Sequence, residues 1–188
     1  MRHIQRIRQA IEDPIQLGFW TFTIAVAVQF LHQVEHLLQI IQKDVWHWDT
    51  YPGLLGAIFD FEWVHFLYNS ALFLSVLAVL VTFLKNPGMW RQSRIGLFAL
   101  VFAVVFQAYH LFEHSFRIVQ YLGGTAKPLG LVGQIVPVVE LHFWINSVVI
   151  GALVVAYYRF SPSPYGRSEP DGAGDAQAPR TAEGSVRA

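Results

Sequence analysis

Cysteine is absent from this chain of 188 residues. Its absence excludes a disulfide framework, thiolate metal sites and a cysteine nucleophile. Charge is scarce and balanced, with 13 Lys and Arg against 13 Asp and Glu, or 14% of residues and a formal net charge of zero. That balance points to no nucleic-acid partner. Hydrophobic residues make up 54% of the chain, above the ~45–50% of an ordinary soluble domain, and the mean hydropathy is positive. The composition is that of a membrane protein.

Four apolar stretches, at residues 16–42, 58–84, 94–122 and 131–158, each exceed the ~20 residues that a helix needs to cross a bilayer. The opening "MRHIQRIRQAIEDPIQLGFW" is not read as a secretion signal, because Glu12, Asp13 and Pro14 interrupt it and no small-residue cleavage site follows. Residues 1–15 are expected to form an interfacial amphipathic segment, with Arg2, Arg6 and Arg8 toward headgroups and Ile4, Ile7 and Ile11 inward. Basic residues gather before the first span, in "KNPGMWRQSR" and after the fourth span. By the positive-inside rule both termini are cytoplasmic in a multi-pass protein of the cell membrane. The tail 161–188, rich in Pro, Gly, Ala and Ser, buries too little to offset its chain entropy and is expected to be disordered.

The polar residues inside the apolar stretches are repeated. Gln29, His32, Glu35, His36, Ile40 and Gln42 recur 78 residues later as Gln107, His110, Glu113, His114, Ile118 and Gln120. Gly53, Leu54, Gly56, Ile58, His65, Phe66, Asn69 and Ser70 recur 77 residues later as Gly130, Leu131, Gly133, Ile135, His142, Phe143, Asn146 and Ser147. The expected fold is all-α: a four-transmembrane-helix bundle of two tandem hairpin repeats, 16–84 and 94–158, related by a pseudo-two-fold axis along the membrane normal.

Residues four apart share a helix face, so His32 pairs with His36, His110 with His114, His65 with Asn69 and His142 with Asn146. Counting ~1.5 Å per residue from the helix ends puts all four pairs at one depth, in the half of the membrane away from the cytoplasm. Six imidazoles at one depth in hydrocarbon need partners. A metal centre supplies them, since neutral imidazole binds Zn, Cu, Fe and Ni. The candidate ligands are His32, Glu35, His36, His65, His110, Glu113, His114 and His142. Three His per half suit two metal ions, with Glu35 and Glu113 bridging, ligating or supporting a His. Asn69 and Asn146 are expected to orient an imidazole or a water. Glu62 in "EWVH" has the Glu-x-x-His spacing of di-iron bundles, and Glu140 in "ELH" is a further candidate. Arg117, at the position of Gln39 in the first half, is expected to snorkel outward or to neutralise a site carboxylate.

These motifs resemble those of the histidine-rich integral-membrane di-iron enzymes, the alkane hydroxylases and fatty-acid desaturases. "HQVEH" and "HLFEH" are similar to their H-x-x-H-H box, with Glu in place of one His. The resemblance implies a pair of metal ions, iron foremost with zinc and copper as alternatives, an oxygen-dependent oxidoreductase activity, a hydrophobic small-molecule substrate and a redox partner. Those enzymes carry more His, hold them on the cytoplasmic side and lack this duplication. Three other readings stay open: a b-type cytochrome with a bis-His haem, a metal-binding accessory or assembly protein, and a membrane zinc hydrolase. Aromatic residues at the same depth, Phe59, Phe61, Trp63, Phe66 and Tyr68 with Tyr109, Phe112, Phe116, Phe143 and Trp144, read as an interfacial belt or as a pocket wall.

Overall fold

The computed structural model describes residues 13–161, so most of the expected interfacial segment 1–15 and of the tail 161–188 lies outside the described residues. Among the described residues every regular element is helical: α1 (Pro14–Ile40) running into a π-helical turn (Ile41–Val45), α2 (Phe61–Lys85), a short α3 (Pro87–Gln92), α4 (Arg94–Leu122), a 3-10 turn (Val132–Gln134) and α5 (Val138–Phe160). The four long helices are long and apolar enough to cross a bilayer. The chain has the architecture of a multi-pass membrane protein.

Local chemistry sets the helix starts. Asp13 accepts the Ile15 amide at 2.9 Å ahead of Pro14 at the first turn of α1. Asp60 accepts from Trp63 at 3.1 Å at the start of α2, and Ser93 accepts from Gly96 at 3.0 Å at the start of α4. Such caps satisfy amides that a helix leaves unpaired. The Tyr121 hydroxyl also donates to Asp60, at 2.6 Å, and with the Trp63 amide holds the Asp60 carboxyl below its ordinary range.

Around the bundle the neighbours are α1–α2, α2–α4, α4–α5 and α5–α1, which leaves α1 facing α4 and α2 facing α5 across the diagonals. Each long helix buries a seam that alternates steps of three and four. On α1 it runs Gly18, Phe22, Ala25, Gln29, His32, His36 and Gln39, and on α2 it runs His65, Asn69, Leu72, Val76, Val79 and Phe83. This is the spacing of knobs-into-holes packing. The outer surface is apolar: Phe98 is 72% and Ile135 86% exposed. An apolar exterior around a partly polar interior suits a lipid environment.

The seam changes chemistry along its length. The end that carries the termini is filled by Phe22, Phe83, Leu100, Leu153 and Phe160, all buried, with Phe83 edge-on to Phe22 and Phe160. The other end buries Gln, His, Glu and Asn.

The second and fourth spans begin later than expected, at Phe61 rather than near 58 and at Val138 rather than near 131. The cause lies in the two loops that precede them. Gly53 (φ 75°) and Gly130 (φ 81°) turn the chain in the left-handed region. The Gly53 N–H donates to Gln42 Oε1 and the Gly130 N–H to Gln120 Oε1, both at 2.8 Å, while each glutamine's Nε2 donates back to the same glycine's carbonyl. The following amides then bind a carboxylate. Leu54 and Leu55 donate to Glu35 at 2.8 and 3.1 Å, and Leu131, Val132 and Gly133 donate to Glu113 Oε1 at 2.8, 2.9 and 3.3 Å. A Cβ on Gly53 would sit 2.1 Å from Glu35 Oε1, and one on Gly130 2.3 Å from Glu113 Oε1.

Gly130→Ala is therefore expected to lower the thermal midpoint of the detergent-purified protein, by an amount corresponding to about 1–3 kcal/mol or more. Gly151→Ala, whose new Cβ meets nothing within 4 Å, should leave the midpoint unchanged or raise it. Equal midpoints for the two variants would show that the loop clamp is not needed.

Candidate metal centre

Six imidazoles, from His32, His36, His65, His110, His114 and His142, come together at the polar end, every one of them buried. One ligand-capable nitrogen from each of His32, His36 and His65 lies within 4.8 Å of the other two, and His110, His114 and His142 form a second such group. Within the groups, His36 Nε2 is 3.1 Å from His32 Nε2, and His114 Nε2 is 3.1 Å from His110 Nε2. An ion held at about 2.0–2.1 Å from each nitrogen sets its ligands roughly 3.3–3.5 Å apart. The groups adjoin one another: ring centroids are 5.9 Å apart for His36 and His142, 5.7 Å for His65 and His114, and 6.4 Å for His32 and His110.

The protonation pattern follows from the acceptors. His65 Nδ1 lies 2.8 Å from the Phe61 carbonyl and His142 Nδ1 2.7 Å from the Val138 carbonyl. A carbonyl only accepts, so each Nδ1 carries the proton and each Nε2 presents a lone pair. Neither Nε2 has a hydrogen-bond partner among the described residues. His36 Nδ1 is 2.9 Å from Gln39 Oε1, which assigns its Nε2 in the same way. An imidazole fixed through one nitrogen with the other bare is how a metal-binding histidine is held.

One turn deeper, the amides make a second polar layer. Asn69 Nδ2 donates to the His65 carbonyl and Asn146 Nδ2 to the His142 carbonyl, both at 2.8 Å. Their side-chain oxygens accept from the diagonal partners' neighbours: Asn69 from Gln107 at 2.9 Å and Asn146 from Gln29 at 2.8 Å. Asn69 and Asn146 thus tie the second helix of each hairpin to the first helix of the other. Gln29 and Gln107 had no assigned role in the sequence; their recurrence in both halves was the signal.

The acidic candidates lie elsewhere. Glu35 binds loop amides through both oxygens and Glu113 through Oε1 alone, its Oε2 being without a partner among the described residues, and neither belongs to an imidazole group. Glu62 is clamped by Arg117 through Nε, at 3.0 Å, and Nη2, which makes Arg117 the partner of a buried carboxylate instead of a snorkelling side chain. Glu140 pairs with Lys43. Most of the aromatic belt faces outward, Trp144 and Phe59 among them. Tyr68 is an exception, stacked on His32 with centroids 4.1 Å apart. In the connection between α1 and α2, Asp44, His47 and Asp49 join no imidazole group.

A cavity of about 660 Å³ reaches the centre from the loop end. His36, His65, His114 and His142 line it, together with Phe61 and the Glu62–Arg117 pair. Tyr51, Pro52, Pro128 and Leu129 contribute walls from both long connections. The opposite approach is closed by the packed apolar half of the seam.

Comparison with family models, curated proteins and solved structures finds no match to this chain. Its class therefore rests on its own residues: four apolar helices around two buried His groups that fit metal ions, the pattern of a membrane metal-binding protein.

Removing one member of a buried ion pair strands the other, at a cost of about 3–5 kcal/mol. Glu62→Ala should thus lower the thermal midpoint sharply, and adding Arg117→Gln, the residue type that the first half carries at Gln39, should restore most of the loss. A double variant no more stable than the single one would refute the pairing.

Proposed function

We propose that the chain is an integral-membrane metalloprotein in which each His group binds one metal ion, giving a dinuclear centre reached through the 660 Å³ cavity. The observation that carries this reading is the pair of bare, buried Nε2 atoms on His65 and His142. Each has its proton fixed on the far side of the ring by a carbonyl that cannot exchange roles. An unsatisfied buried acceptor costs about 1–3 kcal/mol, and a bound cation removes that penalty at His65 and His142.

The two halves act as parallel copies about an axis along the membrane normal. Supporting this are the paired Gly53 and Gly130 loops, the paired Glu35 and Glu113 clamps and the crossed Gln29–Asn146 and Gln107–Asn69 bonds. With both termini cytoplasmic, as the basic residues indicate, the cavity opens on the far side of the membrane. Two adjacent ions deliver two electrons together, which suits an oxidoreductase that uses oxygen on an apolar molecule held by the cavity wall; a redox partner would resupply the electrons. A bis-His haem fits less well, because it uses two axial imidazoles, whereas six rings crowd together here with neighbouring centroids 4.5–6.4 Å apart.

Elemental analysis of protein purified without chelator should find about two transition-metal ions per chain, falling to about one in His142→Ala. A folded protein that retains no metal, even after reconstitution, would end this reading. Tags on both termini should be protected from an impermeant protease in intact cells; digestion of either would reverse the assignment of sides.

A further inference from the structure

The donor set narrows the choice of metal. Resting on the dinuclear reading above, we propose that the two ions are copper, bound in the reduced state as Cu(I), one in each group of three imidazoles.

Iron was favoured in the sequence together with two carboxylate ligands, Glu35 and Glu113. The structure engages both with loop amides and engages Glu62 and Glu140 with Arg117 and Lys43. One oxygen of Glu113 and one of Glu140 bond to nothing among the described residues, yet neither carboxylate belongs to an imidazole group, so each group by itself offers three neutral nitrogens. Hard, oxygen-preferring cations gain least from such a shell, and for divalent ions at nitrogen sites affinity peaks at copper. Cu(I) is a soft ion with a filled d shell and is content with three ligands.

Charge points the same way. The desolvation cost of an ion grows as the square of its charge, so a divalent ion in a low-dielectric site costs roughly four times as much as a monovalent one of the same size. The Arg117 guanidinium lines the same cavity as His114 and raises the local potential.

The test uses the full chain in detergent, stripped of metal and reconstituted without oxygen in an equimolar mixture of Cu(I), Fe(II) and Zn(II), then desalted and analysed by mass spectrometry. The expected result is about two copper per chain in preference to iron and zinc, and X-ray absorption showing a Cu(I) edge and three nitrogen scatterers per ion. Two equivalents of iron or zinc in place of copper would overturn the metal assignment and leave the dinuclear centre standing. Copper with oxygen scatterers would overturn the all-imidazole argument. Retention of no metal by a chain that circular dichroism shows to be helical would remove both.

Discussion

A buried imidazole is costly while either nitrogen lacks a partner, and in this protein six of them are gathered at one end of the bundle. Two are fixed by helix carbonyls one turn back, leaving a lone pair aimed into the middle of the bundle. A third, on His36, is fixed by Gln39. The rest of the polar end serves that constraint. The Asn–Gln crosslinks hold the helices at the spacing the rings need, the Glu and Gln clamps hold the loops away from the rings, and the buried Arg117–Glu62 pair closes α2 against α4.

The division of labour between the two ends of the bundle follows from the solvent. At the apolar end, aromatic and aliphatic side chains interlock as they would in any helical bundle. In lipid, however, apolar contact gives little preference for helix–helix over helix–lipid packing, so fit and hydrogen bonds carry more of the association. The polar end supplies those bonds between α1 and α2, α1 and α5, and α2 and α4. The metal-binding reading and the cohesion of the bundle thus draw on the same side chains, and a bound ion would add to the stability of the fold that creates its site.

The two halves are alike without being identical. Gln39 in one half stands where Arg117 stands in the other. His36 accordingly has an amide partner, whereas His114 Nδ1 has none among the described residues. Tyr68 stacks on His32, and its counterpart is Ile145, which cannot do the same for His110. Any two ions bound here would therefore experience different surroundings.

Much of the architecture was legible in the chain. Apolar length alone specified four spans, because a bilayer imposes a minimum run on any helix that crosses it. The spacing of four in His32–His36, His110–His114, His65–Asn69 and His142–Asn146 put each pair on one helix face, and the recurrence of polar residues at matching offsets singled out this layer. The destination of the carboxylates was not legible. Glu35 sits beside His36 in sequence and reads as a ligand, yet a helix turns each residue by about 100°, and which neighbour a side chain meets there depends on a loop some twenty residues away. Gly53 and Gly130, by taking a left-handed turn, deliver backbone amides to Glu35 and Glu113, and this long-range encounter left the centre with nitrogen donors alone. Local period and composition fixed the helices and the imidazole layer. The pairing of each acidic group depended on the return path of the chain, which only the assembled bundle decides.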